Sequence, residues 1–248
     1  MQRQRTGELI RLGDGPSLEV LKRSILARRP GRTWEDLITG PGLDPEQVRS
    51  AIREGLKQNY RALSGIENWA MTLTAYKPKT PAESAAAEVI RQRVQSWPKG
   101  REGSIVLWGE DNGPGKTHLG VAYAIAVLDL PRPYSVRWWR AADLFHGLEL
   151  GRFDEESPVM EETRQCRLLV LDDLDKLNLS GNRQQWGLET LYRIVDARDH
   201  RDLATCVTTQ LPREGRGSLR EMFGRAITDR LPAHWWTRVA GPSGRAKT

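Results

Sequence analysis

Cysteine is scarce in this chain: 248 residues hold two, Cys166 and Cys206. Neither belongs to a CxxC pair or a Cys/His array, which excludes a structural zinc site built on thiolates. Cys206 lies inside an apolar stretch and is expected as a buried thiol, not half of a disulfide. Long hydrophobic runs are missing too. The longest, Leu119–Leu130, has helical spacing and is too short to span a bilayer. The first residues, Met1–Thr6, are polar and lack the apolar centre of a signal peptide. A cytoplasmic protein with no membrane association is expected. Internal repeats and low-complexity tracts are also lacking, which excludes solenoid architectures.

What is present is ordinary for a soluble globular chain: 38% hydrophobic and 28% charged residues, with nine scattered tryptophans expected as core or interface anchors. The net charge is +6. Residues 1–64 carry twelve Lys/Arg against eight Asp/Glu, +4 of that balance. Such a surface permits nucleic-acid binding without requiring it.

Two regions differ in pattern. Residues 18–64 read as a small all-α unit. Leu18, Leu21, Ile25 and Leu26 have helical spacing and are stopped by Pro30-Gly31. Thr33 can cap a short helix running through Ile38, and a turn follows at Gly40–Gly42. Asp44 can cap a third helix, with Pro45 at its first position and Gln47 three residues after the cap. Val48, Ala51, Ile52 and Leu56 would line one face of it. The order resembles a helix-turn-helix, with Arg49, Arg53 and Lys57 on or near the last helix. A DNA contact and a protein-docking module both fit.

From Ser104 onward, strand-like runs (Ser104–Trp108, Ser135–Arg140, Leu168–Leu171, Leu203–Thr208, Trp236–Ala240) alternate with helical ones (Thr117–Leu128, Ala141–Leu148, Gln184–Arg198, Leu219–Thr228). This alternation predicts an α/β fold with a parallel sheet and helices on both faces.

Leu107–Leu119 is the strongest chemical signal. A strand enters a glycine-rich loop, then Lys116-Thr117, then a helix. Glycines let backbone N–H groups wrap phosphate oxygens, and the helix N-terminus adds partial positive charge. Asn112, Gly113, Pro114, Gly115, Lys116, Thr117 and His118 are the expected nucleotide-binding set. Lys116 would reach the terminal phosphates of ATP and Thr117 would ligate Mg²⁺. The strict GxxxxGK[ST] pattern places its first glycine at position 110, which is Glu110. Either the loop carries one extra residue after Gly109, or Glu110 replaces the glycine. If Glu110 faced inward it would repel phosphate and slow hydrolysis.

A second apolar strand ends in Asp172-Asp173. Asp172 is expected to hold the Mg²⁺ shell and Asp173 to polarise the attacking water. A third strand ends at Thr208–Leu211, where Gln210 can point at the terminal phosphate or simply end the strand. Arg225 and Arg230 lie near the end of the core. Either can supply a charge to a neighbouring subunit's nucleotide, or form a helix-end ion pair.

The order of these motifs resembles the AAA+ ATPases of the DnaC/IstB group: bacterial and phage replicative-helicase loaders and transposition helper ATPases. The resemblance covers residues 65–248. Gly65–Trp69 is similar to the Phe-x-Asn-Phe opening signature, and Gly115–Leu119 to GKTHLA with Gly120 for alanine. Val170–Leu174 is similar to the acidic strand, and Trp186–Arg198 to the helix ending in Asp-x-Arg. Thr208–Leu211 resembles Thr-Ser-Asn-Leu, with Gln210 at the sensor position. Gly224–Leu231 resembles the arginine box, and Gly241–Arg245 the closing Gly-x-Ser-x-Arg. The resemblance implies a P-loop AAA+ three-layer sheet over residues 65–248 with a minimal C-terminal lid, preceded by a partner- or DNA-binding domain over 1–64. It also implies a Mg²⁺- and ATP-dependent switch that self-associates head to tail, with Arg230, ahead of Arg225, as the intersubunit finger. Its partners would be a hexameric replicative helicase and single-stranded DNA, or a transposase and duplex DNA. A non-hydrolysing, nucleotide-binding adaptor is the third alternative.

Overall fold

The computed structural model describes residues 31, 33, 45–97, 100–111, 113, 115–150, 157–177, 182–231 and 235–241. The chain divides into two compact units, Met1–Leu63 with Pro131–Pro133, and Ser64–Leu130 with Tyr134–Thr248.

In the first unit the described element is helix α1 (Pro45–Leu63). Its buried stripe is Ile52, Leu56 and Tyr60, recurring every fourth residue as an amphipathic helix requires. The helix runs a full turn and more past Leu56, so Tyr60 joins the stripe while Ala51 is exposed, unlike the expected face. The helices expected before it and the Asp44 cap lie outside the described residues.

In the second unit the apolar runs become strands: β1 (Ile105–Trp108), β2 (Val136–Arg140), β3 (Leu168–Asp172), β4 (Ala204–Thr209) and β5 (Trp236–Arg238). All paired neighbours are parallel, in the order β2-β3-β4-β1-β5. β3 and β4 are buried along their whole length, as central strands covered on both faces must be. Helices supply both covers. α3 (Lys116–Leu128) packs over β1 to β4 on one face, joined by α2 (Pro81–Gln95). On the other face lie α4 (Ala141–Glu149), α5 (Pro158–Gln165), α6 (Asn182–His200), and the short α7 (Leu219–Phe223) and α8 (Arg225–Thr228). Val106, Leu169, Leu171 and Val207 point into this second core with Leu144, Phe145, Leu191 and Ile194.

This is the expected three-layer α/β sandwich, with three local departures. α2 and α5 had no counterpart in the sequence reading. Both carry clear start signals: Thr80 caps α2 by accepting from Glu83 N at 3.1 Å, Ser157 caps α5 by accepting from Met160 N at 3.3 Å, and a proline follows each cap. The helix expected over Leu219–Thr228 is instead two, because Gly224 at φ 80° breaks it. Both cysteines are buried and free. Among the described residues no helix is long and apolar enough to cross a membrane.

The strand order positions the site. β4 lies between β1 and β3, so the C-terminal ends of these three strands meet, the position at which open parallel sheets place ligands.

Candidate nucleotide site

At the end of β1 the chain is pinned on both sides. Gly109 N donates to Thr209 O of β4 at 3.2 Å, and Val239 N donates to Trp108 O at 2.7 Å. A Cβ on Gly109 would meet Val239 O at 2.1 Å. Gly109 therefore holds the place of the loop's first glycine, and the loop to Gly115 is one residue longer than the strict pattern. Glu110 is exposed.

The loop returns through Gly113 (φ 99°) to Gly115 (φ 94°), the N-terminal cap of α3. Gly115 meets two demands that no other residue satisfies: a left-handed backbone, and contact with Tyr76, whose Cε2 would lie 2.5 Å from a Cβ there. Its cap uses no side chain, so the amides of the first turn of α3 are not taken by a capping side chain. Asn112 and Pro114 lie outside the described residues.

Lys116 opens the helix and is buried, at 6% exposure. Its Nζ donates to Gly109 O and Asp111 O, both at 2.8 Å, so the ammonium lies along the inside of the loop. Burial pushes its pKa down, and the carboxylates of Asp175, Asp173 and Asp111 oppose that. Next to it, the Thr117 hydroxyl lies near enough to the Asp172 carboxylate to lower its pKa. His118 is engaged on the other side. Its ring Nε2 pairs with Thr72 O at 2.9 Å and its plane meets Tyr76 edge-on at 5.1 Å, so the 72–76 segment braces the start of α3.

Asp172 ends β3 and is 1% exposed. Burial pushes its carboxyl up to about 6; Asp173 adds to the shift, while hydrogen bonds from Thr208 and Thr117 oppose it. Thr208 Oγ1 donates to Asp172 Oδ1 at 2.6 Å. Asp173 adopts a left-handed backbone (φ 53°, ψ 50°) and its N–H donates to Thr208 Oγ1 at 2.8 Å. Gln210 follows β4, half-buried, with its N–H donating to Asp175 Oδ1 at 2.8 Å.

The fold thus assembles Lys116, Thr117, Asp172, Asp173 and Gln210 at the ends of three adjacent strands. A hard-oxygen pair, the Thr117 hydroxyl and the Asp172 carboxylate, could hold a divalent cation. Among the described residues no group of three or more His, Cys, Asp or Glu could hold a metal ion. The donor set suits Mg²⁺, which is commonly held by one or two carboxylates with substrate phosphates and water completing the shell.

The two arginines lie elsewhere. Arg230 is anchored within its own subunit: Nε to Asp196 Oδ1 at 2.5 Å, Nη2 to Tyr192 Oη at 2.8 Å and Nη1 to Ala226 O at 2.9 Å. Among the described residues Arg225 pairs with Asp229, at 3.0 Å, and its side chain is 79% exposed. Sequence reasoning passed over four residues of this region. Thr208, Asp175 and Tyr76 touch the functional groups, and Thr72 tethers His118. The run Asp172-Asp173-Leu174-Asp175 did signal a third acid; nothing local singled out the others.

The model of the IstB-like ATP binding protein family matches residues 69–248. Solved structures share the fold. The DnaC helicase loader aligns at TM-score 0.58 and 23% identity, over 69% of this chain and 98% of that one. DnaI aligns at 0.56 and 16%, over 75% and 99%. Domain III of the Thermotoga maritima replication initiation protein DnaA aligns at 0.56 and 17%, over 71% and 69%. None of the curated proteins compared matches the chain significantly.

Proposed function

We propose, from the premise that this chain belongs to the IstB-like ATP-binding protein family, that it is a cytoplasmic ATPase that uses nucleotide binding and hydrolysis as an assembly switch on DNA. The observation carrying this reading is the convergence of Lys116, Thr117, Asp172 and Asp173 at the ends of β1 and β3, beside β4. Bound ATP would supply the phosphoanhydride that is cleaved. The loop amides and the start of α3 bind the phosphates, and Lys116 exchanges its loop carbonyls for phosphate oxygen. Thr117 and Asp172 would hold Mg²⁺, which would offset charge on the phosphates. Asp173 orients the attacking water, and Gln210 donates toward the terminal phosphate. Glu110 is exposed, so it is not buried beneath the phosphate cradle.

Within this reading we favour a loader of a hexameric replicative helicase that contacts single-stranded DNA. It is supported by the shared fold with the DnaC helicase loader along nearly all of that chain. A transposition helper that assembles on duplex DNA is the second reading, favoured by the family match itself. In both, residues 1–64 dock the partner or DNA.

Lys116→Ala is expected to weaken ATP binding at least tenfold in a titration with fluorescent ATP analogue and to abolish hydrolysis. Normal turnover by this variant would refute the nucleotide site. Asp173→Asn should retain ATP and stall. Mixed with ATP and either single-stranded or duplex DNA, the stalled variant should capture a replicative helicase on single strands if it is a loader. Length-dependent binding to duplex alone would replace that reading with the transposition helper.

A further inference from the structure

Asp173 is one of two described non-glycine residues with positive φ (53°), a conformation that costs a side-chain-bearing residue roughly 1 kcal/mol or more unless its surroundings impose it. Here they do. Its N–H is held by Thr208 Oγ1 at 2.8 Å. Its C=O accepts from Lys176 N at 2.9 Å, closing the 3₁₀ turn Leu174–Lys176. The next acid in that turn, Asp175, accepts from Gln210 N at 2.8 Å. Two cross-strand ties therefore run from the acidic turn after β3 to β4, one at Thr208 and one at Gln210.

Thr208 is fully buried, and its two branches have separate tasks. The methyl faces α3, where a Cβ on Gly120 would lie 3.1 Å from Thr208 Cγ2. That packing turns the hydroxyl toward β3, where it donates to Asp172 Oδ1 at 2.6 Å while accepting from Asp173 N. One hydroxyl thus orients the carboxylate assigned to the metal and the backbone carrying the carboxylate assigned to water.

We propose that Thr208, supported by Asp175, is a positioning residue for hydrolysis: it sets the direction of the Asp173 carboxylate by holding its left-handed backbone, without itself touching nucleotide. The inference rests on the proposed ATPase reading. A hydroxyl is required at position 208 because it must accept and donate at once. Valine has the same shape and does neither. It would strand a buried N–H and release Asp173 to relax toward the commoner right-handed backbone.

The test compares wild type, Lys116→Ala, Thr208→Val and Thr208→Ser in ATP binding, single-turnover hydrolysis with protein in excess, and thermal unfolding. Thr208→Val should bind ATP within about threefold of wild type yet hydrolyse roughly 10- to 100-fold more slowly, the cost of a misplaced catalytic group. Thr208→Ser keeps the hydroxyl and should recover most of the rate. If Thr208→Val fails to fold, Asp175→Ala loosens the same turn from the Gln210 side and should show the same split. Wild-type hydrolysis by a folded Thr208→Val or Asp175→Ala overturns the inference, as does equal loss of binding and hydrolysis. Failure of wild type itself to bind or hydrolyse ATP would instead sink the ATPase reading.

Discussion

Arg198 shows how far a residue's role can depart from its letter. It is a guanidinium at 1% exposure, and burial lowers its pKa first of all. Its fork is filled by oxygen acceptors: Thr205 Oγ1 at 2.9 Å, Thr163 O at 2.9 Å, Cys166 O at 3.0 Å and Ala204 O. It ties the end of α6 to the end of α5 and the start of β4. The sequence shows this arginine only as the end of an Asp-x-Arg helix. Replacement by Met preserves bulk and strands neutral acceptors, so Arg198→Met should cost about 3–5 kcal/mol, from several buried acceptors at roughly 1–3 kcal/mol each. In a chain of this size that is a fall of very roughly 10 °C in the unfolding midpoint. Arg198→Lys, with one nitrogen for four acceptors, should not restore it. A midpoint within 2–3 °C of wild type would show that the clamp carries little stability.

At the scale of elements, the strand-like runs and the longer helical runs read from Ser104 onward recur in the structure, because their burial is periodic and local. β3 and β4 are continuous apolar runs, and α3 is apolar almost all round. α2 and α5 were missed although Thr80-Pro81 and Ser157-Pro158 announce them, since weak hydrophobic periodicity outweighed capping chemistry. The loop after β1 is the sharper case. Its irregular spacing left two alignments open, and only the approach of β5 decides between them: Val239 O leaves no space for a side chain at Gly109. Gly109→Ala should therefore push β1 and β5 apart, costing about 1–3 kcal/mol as overpacking does, and should weaken ATP binding because Gly109 O is a Lys116 partner. Glu110→Gly should leave ATP affinity unchanged within experimental error. A reversed pair of results would place the first glycine at position 110 after all.

At the scale of the whole molecule, the proposed head-to-tail assembly would have a site built from one subunit receive charge from another. In head-to-tail assembly the contributing arginine must face outward. Arg230, favoured from the sequence, is occupied by Asp196, Tyr192 and Ala226 of its own chain. Arg225 is 79% exposed and better placed to reach a neighbour. Arg225→Ala is expected to lower hydrolysis at least tenfold, at the modest end of what arginine fingers contribute, with no change in ATP affinity. Mixing it with Lys116→Ala should restore activity, because the second variant lends its arginine to the first variant's intact site. Arg230→Ala should lower the unfolding midpoint by removing the α6–α8 tie. Absence of complementation would rule out Arg225 as an intersubunit donor.

By itself the sequence determined the chemical inventory and its order. The glycine loop with Lys116-Thr117, the strand ending in Asp172-Asp173 and the α/β alternation are each contained within a dozen residues or a simple periodicity. The tertiary structure decided which of those groups lie together. Thr208 meets Asp173 across 35 positions of chain, Gln210 meets Asp175 across 35, and Arg230 meets Asp196 across 34. Contacts at such separations follow from β4 inserting between β1 and β3, and from α8 packing on α6. Neither leaves a local mark on residue spacing, because strand order and helix docking are set by the burial of whole faces and not by any one motif.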